Sequence, residues 1–391
     1  MTSLKIDELR GVEQIIPLED FRKLLESKKK LRVKLGVDPS RPDIHLGHTI
    51  PLRIMKKFQD AGHTVIFLIG DATGQIGDPS GRNITRPVLT NQEIQANAKT
   101  YLDQLSKVLD IKKAEIRFNS EWHGKLDLTG MLKIASHFTV AQLVEREDFK
   151  NRLTEGNELA LHELFYPVMQ AYDSVMLNAD IELGGSDQTF NVLAGRSLQK
   201  KMGQVPQCVI ITKLLVGLDG TNKMSKSLDN YVSLVDTPLD MYGKIMSLRD
   251  DLIAPYYELC TEIELSVITE LVKTFAEGAN PRDAKASLAR EIVSIYHGPD
   301  QALAAESQWN ATFRDKSGPA ESQIISITYD HSPLIEYLVS QKLIASRSDV
   351  RRLLSQKGIK INNQVVSSED EILKDGDVLS IGKTRFYLLK G

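Results

Sequence analysis

The sequence predicts an α/β protein in several parts. A Rossmann-like parallel-sheet domain covers residues 1–230, interrupted by a helical insertion at about 120–160. An all-α domain follows over 231–318, then a linker at 319–331 and a compact α+β module over 332–391. Three observations predict this. In the first part, short runs apolar on both faces alternate with helical segments, the mark of a parallel sheet covered on both sides. Beyond Tyr231 the strand patterns cease and five helical segments follow. From Ser332 short strands and turn residues return.

The elements follow in order. Residues 1–30 read as polar helix ending in Lys28-Lys29-Lys30. Leu31–Val37 is a buried strand, Thr49–Ala61 a helix stopped by Gly62, and Thr64–Ile69 a second apolar strand. A loop with four glycines, Gly70 to Arg82, brings Asp71 and Asp78 to the C-terminal end of that strand, where open α/β sheets bind ligands. Thr90–Asp110 is a capped helix and Glu115–Phe118 a short strand; Ser120 to about Thr154 is an amphipathic insertion that breaks the alternation. Leu161–Leu177 is a helix with Tyr166, Gln170 and Asp173 stacked on one face. A polar stripe on a buried helix needs partners or a ligand. Ala179–Leu183 is a strand running into Gly184-Gly185-Ser186-Asp187-Gln188; a helix, Thr189–Met202, follows, and Val205–Val216 contains another strand. The helices Leu239–Leu248, Ile253–Cys260, Glu264–Glu277, Pro281–His297 and Gln301–Phe313 come next. The last module has helices Leu334–Gln341 and Ser346–Gln356, then four short strands.

Composition narrows the function. The 391 residues carry 49 Lys and Arg against 52 Asp and Glu, a net charge of −3 that favours no partner class. Residues 331–391 hold ten basic and seven acidic residues, net +3, which leaves 39 against 45, net −6, elsewhere. A basic module on an acidic body suits local RNA contact, with Arg347, Arg351 and Arg352 on or near one side of a helix. Cys208 and Cys260 are far apart without metal-type spacing, which predicts reduced thiols, no protein-bound metal and a cytoplasmic setting. Met1–Arg10 lacks an apolar signal core, and no run approaches the roughly 20 apolar residues that span a bilayer, so no membrane partner is expected.

Two motifs carry the chemistry. His45-Leu46-Gly47-His48 sits where the first buried strand turns into a helix. Helix N-termini offer free N–H groups and a partial positive charge, and two imidazole donors there make a site for a triphosphate. Gly47 lets a ligand approach the backbone. Lys223-Met224-Ser225-Lys226-Ser227 follows the turn Asp219-Gly220; two ammonium groups on a mobile loop could close on a polyphosphate as a bond breaks.

These motifs, early and late in one parallel domain, resemble those of a class I aminoacyl-tRNA synthetase. Gly36-x-Asp38-Pro39, Gly77-Asp78-Pro79-Ser80-Gly81, Gln170-Ala171-Tyr172-Asp173 and Gly184-Gly185-Ser186-Asp187-Gln188 resemble the bacterial tyrosyl enzymes. Ser346-x-x-x-Val350-Arg351-Arg352-Leu353-Leu354 and Gly358-Ile359-x-Ile361-Asn362 are similar to the RNA-binding module at the C-terminus of that family. The likeness covers nearly the whole chain. It implies tyrosine, ATP and tRNA(Tyr) as substrates, Mg2+ brought by the nucleotide, a homodimer formed through the region near 120–160, and a helical domain on the anticodon side. It also implies roles. His45 and His48 contact the phosphates; Lys223 and Lys226 close over pyrophosphate; Arg82 and Arg86 add cationic contacts, Arg82 standing where the family has lysine. Gly36, Asp38, Ser40, Gly47, Gly185, Asp187, Met224 and Ser225 line the ATP and adenylate site. Asp78, Tyr166 and Gln170 bind the substrate ammonium, and Gln188 lies near its carboxylate. Asp173 accepts from the phenol. Many family members have tyrosine at the position of Lys34, so either Lys34 takes that second phenol contact or Asp173 carries more of it. A tryptophanyl enzyme shares the fold but normally lacks the last module, and a non-catalytic RNA-binding paralogue would have no need of intact histidine and lysine motifs.

Overall fold

The computed structural model describes residues 4–27, 29–39, 42–78, 90–313, 324–329, 332–362, 364–366, 368–369, 371–382 and 385–390. Ser40, Arg82 and Arg86 lie outside the described residues. The chain divides into two compact units, Met1–Val235 with Leu248–Pro281, and Asp236–Ser247 with Arg282–Gly391.

The first unit is built on a six-stranded sheet. Its elements are β1 (Val12–Ile16), α1 (Leu18–Glu26), β2 (Arg32–Val37), α2 (Leu46–Asp60), β3 (Thr64–Ile69), α3 (Asn91–Leu105), β4 (Glu115–Phe118), α4 (Ser120–His123), α5 (Leu128–Ala135), α6 (Val140–Val144), α7 (Glu147–Thr154), α8 (Leu161–Met176), β5 (Ile181–Gly185), α9 (Thr189–Lys201) and β6 (Cys208–Thr212). The strand order is β1-β6-β5-β2-β3-β4, parallel except for β1. Val65 to Ile69 of β3 and all of β6 are buried, as strands covered on both faces must be. The chain winds outward from β2 to β4, then returns to the other side of β2 with β5. That reversal puts a crevice beyond the C-terminal ends of β2 and β5, the usual ligand position in such sheets. On one face of the sheet, α8 packs Val168, Ala171 and Val175 against Leu198 of α9 and against Ile134 and Leu143 of the insertion.

Residues 1–30 are not wholly helical as their pattern suggested. Val12–Ile16 forms an edge strand antiparallel to β6, with Ile15 opposite Ile210. Five residues at a sheet edge, only partly buried, leave too little alternation to separate strand from helix.

The five helices read together over 231–318 fall to different units. The first is α10 (Pro238–Met246), in the second unit. By contrast, α11 (Ile253–Cys260) and α12 (Leu265–Ala276) group with the sheet. Five of the eight residues of α11 are buried, and Tyr256 Oη donates to the Val216 carbonyl at 2.6 Å.

The second unit holds α10, α13 (Pro281–His297) and α14 (Pro299–Phe313), then β7 (Ile324–Thr328), α15 (Leu334–Ser340), α16 (Arg347–Ser355), β8 (Ile359–Ile361), β9 (Gln364–Val365), β10 (Val378–Ile381) and β11 (Arg385–Lys390). Trp309 of α14 packs against α10, so that a Cβ added at Gly243 would lie 2.7 Å from its ring. The final sheet runs β7-β11-β10-β8-β9 over a core of Leu334, Tyr337, Leu338, Val350, Ile359, Leu379 and Leu389. Strand β7 falls in the stretch 319–331 read as a linker, and pairs in parallel with β11. Its pairing partner lies some sixty residues away, and a local pattern does not reveal such a partner.

Candidate active site

Ile44 and Leu46 anchor the start of α2. The Leu46 amide donates to the Val232 carbonyl and the Leu234 amide to the Ile44 carbonyl, so the chain beyond the lysine loop brackets this helix end. His45 is the N-cap, and His48 stacks beside it with ring centroids 3.7 Å apart. The His45 amide donates to His48 Nδ1 at 3.3 Å, which leaves the imidazole proton on Nε2. His45 Nδ1 is buried without a hydrogen-bond partner among the described residues. Burial, then the charge of Lys226, holds the His45 pKa down at about 3; burial and His45 itself push His48 well below the usual histidine range. Both rings are therefore neutral N–H donors near pH 7.

The lysine loop is organised by two side chains. Asp219 accepts from the amides of Thr221 and Asn222 and from Asn222 Nδ2, and these bonds, the Thr221 amide first, lower its pKa to about 2. Asn230 bridges Asp219, the Lys223 carbonyl and the Ser225 amide. From this frame Lys223 Nζ reaches Asp187 Oδ2 at 2.6 Å, and Lys226 Nζ reaches the Tyr101 hydroxyl at 3.0 Å. Met224 is buried beneath them.

At the C-terminal end of β2, Asp38 accepts from Thr73 Oγ1 at 2.8 Å and from Tyr166 Oη at 2.9 Å. Burial first, and then Asp38, pushes the Tyr166 pKa well above its usual value, so the phenol keeps its proton. Gly70 admits Asp38: a Cβ there would meet its Oδ1 at 2.0 Å. A Cβ at Gly185 would meet Asp187 Oδ1 at 2.8 Å and Leu214 Cδ2 at 2.9 Å. Asp78 accepts from Gln188 Nε2 at 2.8 Å and pairs with Arg146 at 3.3 Å. Gln170 Oε1 is buried without a partner among the described residues.

The floor is polar and closed. Asp173 Oδ1 accepts from Trp122 Nε1 and from His123 Nε2, both at 2.8 Å; Oδ2 accepts from Asn119 Nδ2 at 3.3 Å. Lys34, fully buried, directs its ammonium to Glu182 at 2.8 Å, Ser174 Oγ at 2.9 Å and the Gln170 carbonyl at 3.4 Å. Three acceptors account for its three N–H bonds. Glu182 also receives Ser174 Oγ at 2.7 Å and Gln207 Nε2.

One cavity of about 700 Å³ joins these groups. It is lined by Lys34, Gly36, Asp38, His45, Gly47, His48, Asp78, Tyr166, Gln170, Asp173, Gly185, Asp187, Gln188, Lys223, Met224, Ser225 and Lys226. These are all the described residues that the sequence assigned to the catalytic, nucleotide and tyrosine sites, while Ser40, Arg82 and Arg86 fall outside the described residues. Arg347, Arg351 and Arg352 are in the other unit on α16, exposed, each paired with a carboxylate: Glu336, Glu369 and Asp349. Among the described residues no cluster of three or more His, Cys, Asp and Glu could hold a metal ion, and no helix is long and apolar enough to cross a membrane. Sequence reading missed Thr73, Asn119, Trp122, His123, Tyr101, Arg146 and Glu182. The signal for three of them was present: Asn119, Trp122 and His123 follow directly on the C-terminal end of β4.

The family model described as tRNA synthetases class I (W and Y) matches residues 26–314, and an S4 domain model matches residues 333–379. The fold and the paired histidine and lysine motifs are thus those of a class I aminoacyl-tRNA synthetase with an S4 module. A tyrosine–tRNA ligase of Moorella thermoacetica is 47% identical over 387 residues, covering 97% of this chain and 94% of that protein. One from Dehalococcoides mccartyi is 43% identical over 98% of both. The chain belongs to the tyrosine–tRNA ligase family. In fold it is similar to the tyrosyl-tRNA synthetase of Archaeoglobus fulgidus solved with L-tyrosine, at TM-score 0.62 and 24% identity over 77% of this chain and 99% of that one.

Proposed function

We propose that this cavity carries out both steps of tyrosine–tRNA ligation. A carboxylate oxygen of L-tyrosine attacks the α-phosphorus of ATP, the bond to the bridging oxygen of the β-phosphate breaks, and pyrophosphate leaves. The 3′-terminal ribose of tRNA(Tyr) then attacks the tyrosyl carbonyl and AMP leaves. The attacking carboxylate is already ionised, so the first step needs no general base; positioning and charge stabilisation supply the rate.

His45 and His48 donate neutral N–H bonds to the phosphates. Their depressed pKa values support this role, because protonated rings would add charge where Lys223 and Lys226 already supply it. The two lysines, with Arg82 and Arg86, neutralise the leaving pyrophosphate, whose Mg2+ arrives with the nucleotide. Asp187, beside Gly185, holds the ribose once Lys223 has moved to the phosphates. Gly36, Asp38, Ser40, Gly47, Met224 and Ser225 complete the nucleotide site. Asp78, Tyr166 and the open Oε1 of Gln170 take the substrate ammonium, and Gln188 lies near its carboxylate.

Asp173 accepts from the phenol. Lys34 has its hydrogens committed to protein acceptors, so phenol recognition falls on Asp173. Phenylalanine would leave Oδ2 of that buried carboxylate with its long Asn119 contact and no phenol donor. In tyrosyl enzymes as a class this effect reaches about 10⁵ in specificity.

The carrying observation is a single cavity with a histidine–lysine anion clamp at the sheet edge and a carboxylate gripped by ring N–H donors at its floor. Arg347, Arg351 and Arg352 would exchange exposed carboxylate pairs, each worth little, for tRNA phosphates. Exposed Leu128, Leu132 and Val140 support a homodimer through the insertion; sedimentation tests it. The enzyme works in the cytoplasm. ATP–pyrophosphate exchange with each amino acid is the deciding assay. Tyrosine alone should support exchange; activity with tryptophan and none with tyrosine overturns the assignment, and no exchange with any amino acid favours an RNA-binding paralogue.

A further inference from the structure

Asp173 is gripped on one side only. Two ring N–H donors meet on Oδ1, Trp122 Nε1 and His123 Nε2, each at 2.8 Å, whereas Oδ2 holds a single long contact to Asn119 at 3.3 Å. Carboxylate torsions are soft, and one donor leaves such a group free to rock about its contact. Two donors arriving at the same oxygen from different rings fix its plane and leave Oδ2 as the acceptor with capacity to spare.

His123 ends α4, whose first residue is tied to Asp71 through both the Ser120 amide and hydroxyl. The imidazole side chain is only 4% exposed, its Nε2 faces Asp173, and its Nδ1 is buried with no partner among the described residues. A ring with one acceptor in reach carries its proton on the nitrogen facing that acceptor. Keeping the other nitrogen buried and unsatisfied is costly, and an apolar ring in the same space would avoid that cost. The cost is offset by the Nε2–H bond to Asp173.

We propose that His123 is a specificity-determining positioning residue: its Nε2–H sets the plane of Asp173 so that Oδ2 receives the substrate phenol. In this chain that matters more because Lys34, with its ammonium committed to Glu182, Ser174 and Gln170, has no hydrogen left for the phenol. The inference rests on the reading of Asp173 as the phenol acceptor.

The test is ATP–pyrophosphate exchange by the full-length enzyme with tyrosine and with phenylalanine. His123→Phe keeps a ring and removes the donor. It should raise KM for tyrosine roughly tenfold, the loss of one bond to a charged acceptor, with kcat and phenylalanine kinetics nearly unchanged. His123→Gln places an amide N–H near Nε2 and should stay within about threefold of the parent, whereas His123→Asn, whose amide falls short, should behave as His123→Phe. The Gln and Asn pair decides the matter if the Phe variant does not fold. Unchanged preference for tyrosine in His123→Phe, or equal losses in Gln and Asn, overturns the proposal and makes the ring mere filler. Asp173→Ala separates the two readings. If it still rejects phenylalanine, the assignment of Asp173 itself fails. If it loses discrimination while His123→Phe keeps it, only the role of His123 fails.

Discussion

Replacing Lys34 by methionine should unfold this enzyme far more easily than its single lost charge suggests. The side chain is fully buried on β2, directly opposite Glu182 on β5, with Nζ 2.8 Å from the carboxylate. At an effective dielectric constant of about 20, two unit charges at that distance attract by roughly 6 kcal/mol before desolvation is counted. Methionine fills the same volume but leaves Glu182 charged in the interior, accepting, among the described residues, from Ser174 and Gln207 alone. Removing one partner of a buried pair costs about 3–5 kcal/mol. Those two surviving bonds put the expected loss at the low end of the range. At 2–4 °C per kcal/mol, thermal unfolding of the sheet unit should shift down by roughly 6–12 °C. Lys34→Met/Glu182→Leu removes both charges and should recover most of the loss, since an apolar pair of similar volume is often neutral or better. Differential scanning calorimetry of the two variants and the Glu182→Leu single reads this cycle. A shift under about 2 °C for Lys34→Met, or a double variant no better than the worse single, would falsify the description of Lys34 as a structural charge. It would return the residue to the phenol, where KM for tyrosine should then carry the effect.

Three further outcomes are expected. Lys226→Ala should slow adenylate formation at least tenfold while leaving tyrosine binding nearly unchanged; equal losses in stopped-flow adenylation and in equilibrium tyrosine binding refute its action on the nucleotide. Chain ending at Phe313, ahead of β7, should keep pyrophosphate exchange and lose most tRNA charging; a cut at 330 would strand β7 without β11, and loss of exchange in the shorter chain would mean the module supports the catalytic fold. For pH, the folded pKa of His45, about 3, lies below its unfolded value near 6.5. The folded state then binds fewer protons, so the contribution of His45 is fully present above about pH 6.5 and is lost as pH falls from there toward 3. Single-turnover adenylation should accordingly be flat between about pH 6 and 8, and an ionisation near 6.5 that disappears in His48→Asn contradicts the neutral-donor role.

What could be read from the sequence was whatever is written in consecutive residues. β2, β3 and the His45–His48 turn are local: an apolar run, a glycine, a helix start. The stripe of Tyr166, Gln170 and Asp173 is local too, since one helix face fixes its spacing. What escaped was pairing at a distance. β1 and β7 are partly buried edge strands whose existence depends on β6 and β11. Glu182 sits between apolar Ile181 and Leu183, and the alignment of β2 with β5 is what reveals the lysine opposite. The same holds for α11 and α12, whose helical pattern was plain but whose packing partner was not.

The two ends of the cavity handle charge in opposite ways, and that difference follows from burial. At the floor, Lys34, Glu182 and Asp173 are nearly inaccessible, so each charge must be met by fixed protein donors or acceptors, and rearranging any of them is expensive. A rigid, prepaid carboxylate suits discrimination between two substrates that differ by one hydroxyl. At the mouth, the Lys223–Asp187 pair is about one-third exposed on its lysine and one-quarter on its carboxylate. Such a pair is worth little in water, so exchanging it costs little. In the proposed reaction the ribose hydroxyls take over Asp187 and the phosphates take over Lys223, and each charge changes partner without ever being left alone. The Tyr101 hydroxyl, a neutral acceptor, can release Lys226 to an anion more easily still. On the proposed mechanism, the nucleotide itself therefore supplies the free energy that brings the lysines onto the phosphates, whereas the proposed amino-acid site is already set before the substrate arrives.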